Sequence, residues 1–186
     1  MRRYPLKTVQ TRTLKSHLRG GGVVAYPTES CYGLGCDPRN PRAVAQLLKL
    51  KGRPRSKGLI LIADRFERLA PYLRPVPPAE LPRLLAAWPG PHTWLLPARR
   101  RPWLTGRHAT LAVRVTAHPA AAGLCAQLGM ALVSTSANRS GARPARSARQ
   151  VRAVFGQNIA VVQGRIGTRK RPSTVMDFVS GRILRA

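Results

Sequence analysis

The sequence predicts a single-domain α/β layered fold, and three observations carry that expectation. The chain has 186 residues, close to the ~150 that one domain usually takes. Hydrophobic residues make up 44% of it, with apolar runs recurring from Val23 to Leu184, which is enough apolar side chain to bury a core despite the charge. Strand-like and helix-like segments alternate from about residue 22 to the end, without an internal repeat or a low-complexity block, and such alternation builds layered α/β sheets.

Taken in order, Gly22-Val23-Val24-Ala25-Tyr26 reads as a strand closed by Pro27. Asn40 then caps a helix whose first residue is Pro41, with Val44, Leu47 and Leu48 at helical spacing and an end near Lys51-Gly52. Leu59 to Ala63 reads as a buried strand, followed by helical candidates at Asp64 to Leu73 and Ala79 to Trp88. Thr110 to Val115, Ala131 to Ser134 and Ile159 to Val162 continue the strands; Pro119 to Leu128 and Ser147 to Phe155, with Ser147 as N-cap, continue the helices. Thr174 to Val179 and Arg182 to Leu184 pair as a hairpin over Ser180-Gly181. The Pro-rich stretch Pro71 to Pro82 and the basic segment Pro97 to His108 read as surface connections, the second as a mobile basic loop and a candidate lid.

No run approaches the roughly 18 to 20 apolar residues of a membrane span. The basic N-terminus Met1-Arg2-Arg3-Tyr4-Pro5 is not followed by the apolar segment of a secretory signal, so a cytoplasmic protein with no membrane partner is expected. Thirty-three Lys and Arg against six Asp and Glu give a formal net charge of +27. That field suits nucleic acids, nucleotides or phosphorylated substrates; a coding bias toward Arg, which supplies all but six of the cations, is the plainer source of part of it. Cys31, Cys36 and Cys125 form no C-x-x-C pair, and buried free thiols are the reading preferred over disulfides or zinc.

Searches for general catalytic signatures come back empty: there is no Walker-type phosphate loop, no G-x-G-x-x-G after a strand, no G-x-S-x-G and no H-E-x-x-H. With six acids in the chain, carboxylate pairs for acid/base work are scarce. What remains is chemistry driven by positive charge and hydrogen-bond donors. Four segments place small polar residues and glycines near predicted strand ends, where open α/β sheets bind ligands. They are Tyr26-Pro27-Thr28-Glu29-Ser30-Cys31-Tyr32-Gly33-Leu34-Gly35, Lys51-Gly52-Arg53-Pro54, Ser134-Thr135-Ser136-Ala137-Asn138-Arg139-Ser140-Gly141 and Pro172-Ser173-Thr174-Val175. Each alone reads equally well as an ordinary turn or helix end.

Together, in this order, they resemble the YrdC-like family of threonylcarbamoyl-AMP synthases, with Pro89-Gly90-Pro91-His92-Thr93 and the Val113-Arg114 strand as further matches. The resemblance covers about residues 18 to 186, and the chain is similar to the short bacterial TsaC type. Ser30 and Cys31 depart from the commoner Thr and Val or Thr, and Ile62 stands where longer members carry a His.

The resemblance implies a twisted open mixed sheet flanked by helices, with a concave basic cleft. It implies an enzyme that joins L-threonine, bicarbonate or CO2, and ATP with Mg2+ as substrates, needing no tightly held metal or prosthetic group. A downstream threonylcarbamoyl transferase complex, and tRNA modified beside the anticodon, are the implied partners. By matched positions, Lys51 and Arg53 face the phosphates and carbamate as catalytic groups. Thr28, Arg114 and Ser173 hold threonine, and Lys51, Thr110, Ser134, Ser136, Asn138 and Arg185 hold ATP. The rival reading is a non-catalytic factor for double-stranded RNA binding or ribosome maturation. Its support is the net charge with the triplets Arg99-Arg100-Arg101 and Arg169-Lys170-Arg171.

Overall fold

The computed structural model describes residues 8–157 and 159–186; the Met1–Pro5 segment, read above for a signal peptide, lies outside them. Among the described residues nine strands form one mixed sheet. In chain order they are β1 (Val24–Pro27), β2 (Tyr32–Gly35), β3 (Ile60–Ala63), β4 (His92–Pro97), β5 (Thr110–Val115), β6 (Leu132–Ser136), β7 (Ala160–Val161), β8 (Thr174–Asp177) and β9 (Ile183–Arg185). The spatial order is β7-β1-β2-β6-β3-β5-β4-β8-β9. Parallel pairs (β1 with β7, β3 with β5, β4 with β8) are interspersed with antiparallel ones.

Strand periodicity places the core on both faces. Val23, Ala25, Leu61, Ala63 and Val133 enter the larger apolar cluster, while their neighbours Val24, Tyr26, Ile62 and Leu132 point the other way into a second one, as alternation along a pleated strand requires. The helices α1 (Thr8–Arg19) and α5 (Pro119–Leu128) supply Leu14, Leu18, Leu124 and Cys125 to the second cluster. On the opposite face α2 (Pro41–Lys51) contributes Val44 and Leu47, and α6 (Ala148–Phe155) contributes Val151.

Both predicted caps form. The Asn40 side chain accepts from the Arg42 and Ala43 amides, with Pro41 opening α2, and Ser147 accepts from the Gln150 amide at the start of α6. At the far end of α2, Gly52 takes a left-handed conformation with φ of 61°. Its amide bonds to Lys49 O and that of Arg53 to Leu48 O, the paired closure of a Schellman turn.

Elsewhere the structure departs from expectation. Asp64 to Leu73 forms two 3-10 turns, Phe66–Arg68 and Ala70–Tyr72, because Pro71 lacks the amide that an α-helix would need there. Ala79 to Trp88 shortens to a 3-10 turn and the six-residue α3 (Leu81–Ala86). Of Ile159 to Val162, Ala160 and Val161 pair with β1. β2, β4 and α1 are elements that no sequence segment above anticipated. Pro97 to His108 contains the short α4 (Pro102–Thr105) and packs down: Leu104 is fully buried, and Arg101 lies over the rings of Tyr72 and Trp103 at 5.4 and 5.8 Å.

Candidate active site

Where α5 and α1 leave the second face of the sheet uncovered, a cleft of about 740 Å³ opens. Its floor includes Ile60 and Ile62 of β3, Gly33 of β2, Ser134 and Ser136 of β6 and Arg114 of β5. β3 lies between β5 and β6, with Ile62 paired to Arg114 and Ile60 to Ser134; two strand spacings across and two residues along, the arginine and the serine stand roughly 12 Å apart. Thr28 and Arg53 close the cleft from the turns after β1 and α2, Ser173 from the residue before β8 and Arg185 from β9. Six cations and no carboxylate line it. None of residues 97–108, the candidate lid, is among the residues lining it.

Arg114 is buried, and its guanidinium is held from behind by Glu29, Nη2 to Oε2 at 3.1 Å. The other Glu29 oxygen accepts from the Thr116 hydroxyl at 2.6 Å. Burial alone would push the Glu29 carboxyl up; Arg114 and Thr116 outweigh it and hold it below the usual carboxylate range. Arg114 Nε is buried and has no hydrogen-bond partner in the protein. The Thr28 hydroxyl donates to Cys31 O at 2.7 Å, which leaves its lone pairs for the cleft. Ser173 Oγ accepts from buried Thr93 at 2.8 Å, and its carbonyl accepts from Arg185 Nη2 at 2.8 Å. Burial and, after it, the neighbouring Arg114 push Arg185 down.

A strap runs from Gly164 to Ser173 along the rim. Tyr32 OH donates to Gly164 O at 2.8 Å, Gly167 N to Thr28 O at 2.9 Å and Arg169 N to Glu29 O at 3.1 Å. A Cβ on Gly167 would lie 2.7 Å from Glu29 O, so the close approach itself demands glycine. The strap brings Lys170 to the cleft, and the loop between β6 and α6 brings Arg143 and Arg146.

Of the residues singled out from sequence, Thr28, Arg53, Arg114, Ser134, Ser136, Ser173 and Arg185 meet on this wall. Thr110 opens β5 four residues before Arg114, about 13 Å along the strand, and is not among the lining residues. Lys51 and Asn138 stand behind Ser136: the Lys51 ammonium donates to Ser136 O, to Asn138 O at 2.8 Å and to Asn138 Oδ1 at 3.3 Å. Sequence reasoning missed Arg143, Arg146 and Gln150, which line the cleft, and placed Lys170, which also lines it, only in a basic triplet for RNA. Cys36 and Cys125 are buried as expected, whereas Cys31 is half-buried on the cleft wall. Among the described residues, no three His, Cys, Asp or Glu side chains gather as a metal site, and no helix is long and apolar enough to cross a membrane.

The sequence and the fold recur in known proteins. The family model described as "Telomere recombination", for Sua5, YciO and YrdC proteins, matches residues 16–186. The chain is 59% identical over 175 residues to a threonylcarbamoyl-AMP synthase of Thiobacillus denitrificans, covering 93% of each chain. It is 54% identical to one from Methylobacillus flagellatus, covering 95% of this chain and 99% of that one. Among solved structures, P. abyssi Sua5 complexed with L-threonine superposes with a TM-score of 0.84 at 32% identity; the match covers 94% of this chain and 52% of that protein, so the chain spans about half its length. With the family's motifs brought onto one cleft and the match running through nearly the whole sequence, the chain belongs to the Sua5/YciO/YrdC family.

Proposed function

We propose that the chain is an L-threonylcarbamoyl-AMP synthase, a nucleotidyltransferase that condenses L-threonine, bicarbonate or CO2, and ATP. The observation that carries this reading is the single cleft that gathers a backed guanidinium fork at Arg114 with the hydroxyls of Thr28, Ser173, Ser134 and Ser136 under Arg53. A surface that only gripped RNA would need the cations, but would have no use for hydroxyls oriented one by one. The names of the relatives point to the same reaction.

Arg114 takes the threonine carboxylate bidentately, with Thr28 and Ser173 flanking the amino acid. The threonine amine and bicarbonate combine with loss of water to give a carbamate. A carbamate oxygen then bonds to the α-phosphorus of ATP as the bond from that phosphorus to the bridging oxygen breaks, and pyrophosphate leaves. Arg53, with Arg185 at the opposite rim, meets the negative charge that grows on the phosphates. Ser134 and Ser136 line the adenylate side, with Asn138 behind them. Mg2+ enters with ATP, whose phosphates supply its oxygen ligands, in keeping with a wall that carries no carboxylate. The product suits a downstream transferase that moves the threonylcarbamoyl group to an adenosine of tRNA.

Pyrophosphate release from ATP and Mg2+ tests this directly. Release that needs both L-threonine and bicarbonate is expected; release from a folded sample that ignores either one removes the synthase reading.

A further inference from the structure

α5 breaks a local rule at its first turn. Ser, Thr, Asp or Asn is favoured just before a helix, where its side chain caps the free amides. His118 stands there instead, ahead of Pro119, and makes no capping bond. The imidazole is buried and turned away from the helix, with Nε2 at 3.2 Å from Arg165 O, where the rim strap begins. A carbonyl oxygen only accepts, so Nε2 carries the hydrogen and donates it. Burial, aided by Arg114, holds the ring below its ordinary range against the pull of Glu29. The ring is therefore neutral at pH 7, with a bare Nδ1 that has no partner in the protein.

The same short turn serves the other side of the site. Thr116 donates its hydroxyl to Glu29 Oε1 at 2.6 Å and accepts from the His118 amide at 3.2 Å. One end of the turn thus holds the acid behind Arg114, and the other end holds the strap. Between them the strap lies on the loop after β1, with Gly167 N on Thr28 O and Arg169 N on Glu29 O. Its far end carries Ser173 to the cleft, where Thr28 and Arg114 also stand, while His118 itself is not among the lining residues.

We propose that His118 is a positioning residue for the threonine subsite: by pinning Arg165 O it seats the strap on Thr28 and Glu29, and so fixes Thr28, Arg114 and Ser173 relative to one another. This rests on the synthase reading for the identity of the ligand; the pin itself does not.

Two substitutions separate positioning from mere support. His118→Asn supplies a favoured cap for α5, but its amide extends no farther than Nδ1 and falls short of Arg165 O. His118→Gln carries an amide nitrogen to the place of Nε2 and donates again. Urea unfolding of His118→Asn is expected to show stability equal to wild type or higher. Its KM for L-threonine in pyrophosphate release should rise by about tenfold, with the KM for ATP within about twofold and kcat within about threefold. Amide exchange of residues 165–170 should speed up. His118→Gln should bring both the threonine KM and the exchange back to within about threefold of wild type.

An equal rise in both KM values, an unchanged threonine KM, or a folded His118→Gln that restores nothing overturns the positioning role. Should His118→Asn not fold, His118→Leu, which keeps apolar bulk and lacks the donor, takes its place; if neither folds, His118 serves stability and the proposal falls. A wild type whose pyrophosphate release ignores threonine overturns the synthase reading instead. The exchange of residues 165–170 in His118→Asn still decides the pin in that case: faster exchange supports it, and unchanged exchange overturns it.

Discussion

Arg114 owes its usefulness to a residue that touches no ligand. Glu29 neutralises it from behind and aims its fork, while burial keeps water from weakening the pair. Glu29→Gln keeps the shape but removes the charge. It should raise the KM for threonine by about tenfold while leaving that for ATP within about twofold, and destabilise the fold by about 3 kcal/mol, as when one partner of a buried pair is removed; steady-state kinetics and urea unfolding check both. The pH dependence has a definite sign. A carboxyl held below its ordinary value in the folded state contributes stability above that ordinary value and loses it as pH falls through the folded one. Acid unfolding should therefore begin below about pH 4.5 in wild type, and this step should be absent in Glu29→Gln. Seven of the ten residues picked from the sequence meet on the cleft wall, because motif residues at strand ends need only the local fold to face it. Arg143 and Arg146 were illegible, as was the place of Lys170 at the cleft: they reach it through loops whose path is set by tertiary contacts.

At the scale of elements, the end of α2 aims the two cations of its motif in different directions. The left-handed Gly52 turns the chain so that Lys51 stays inside and Arg53 emerges at the cleft. Gly52→Ala meets no steric neighbour, so its expected destabilisation of about 1 kcal/mol comes from the backbone conformation alone. A melting shift of several degrees, together with a raised KM for ATP, is the expected readout; unchanged kinetics would separate the turn from the site. Elements with strong local signals, such as the two caps and the apolar stripe of α2, were legible in full. β2 was not, since the glycines at 33 and 35 suggest a turn, and only the buried Tyr32 and Leu34 on its other side mark a strand. β4 hides between prolines and is defined by its partners, pairing with β5 on one side and β8 on the other.

For the whole molecule, the charge of +27 and the six cations on one wall make contact with RNA a proposal of its own. Duplex RNA should bind with an affinity whose logarithm falls against that of the salt concentration, by about 0.9 per phosphate contact; a flat response in a filter or anisotropy assay removes RNA from the partners. Part of the charge is already committed to structure, since Arg101 stacks on Tyr72 and Trp103 and Arg99 Nε donates to Leu73 O. The rim strap is organised differently. Along Thr28 and Glu29 it is fastened by main-chain groups, and these bonds do not depend on which side chains the strap carries there. Charge on Lys170 and Arg171 can therefore be gained or shed without reopening the clasp, while Arg169, whose Nε donates to Arg171 O and Pro172 O, stays committed to it. That freedom stops at Gly164 and Gly167, where a single added methyl group would press on Pro27 and Glu29.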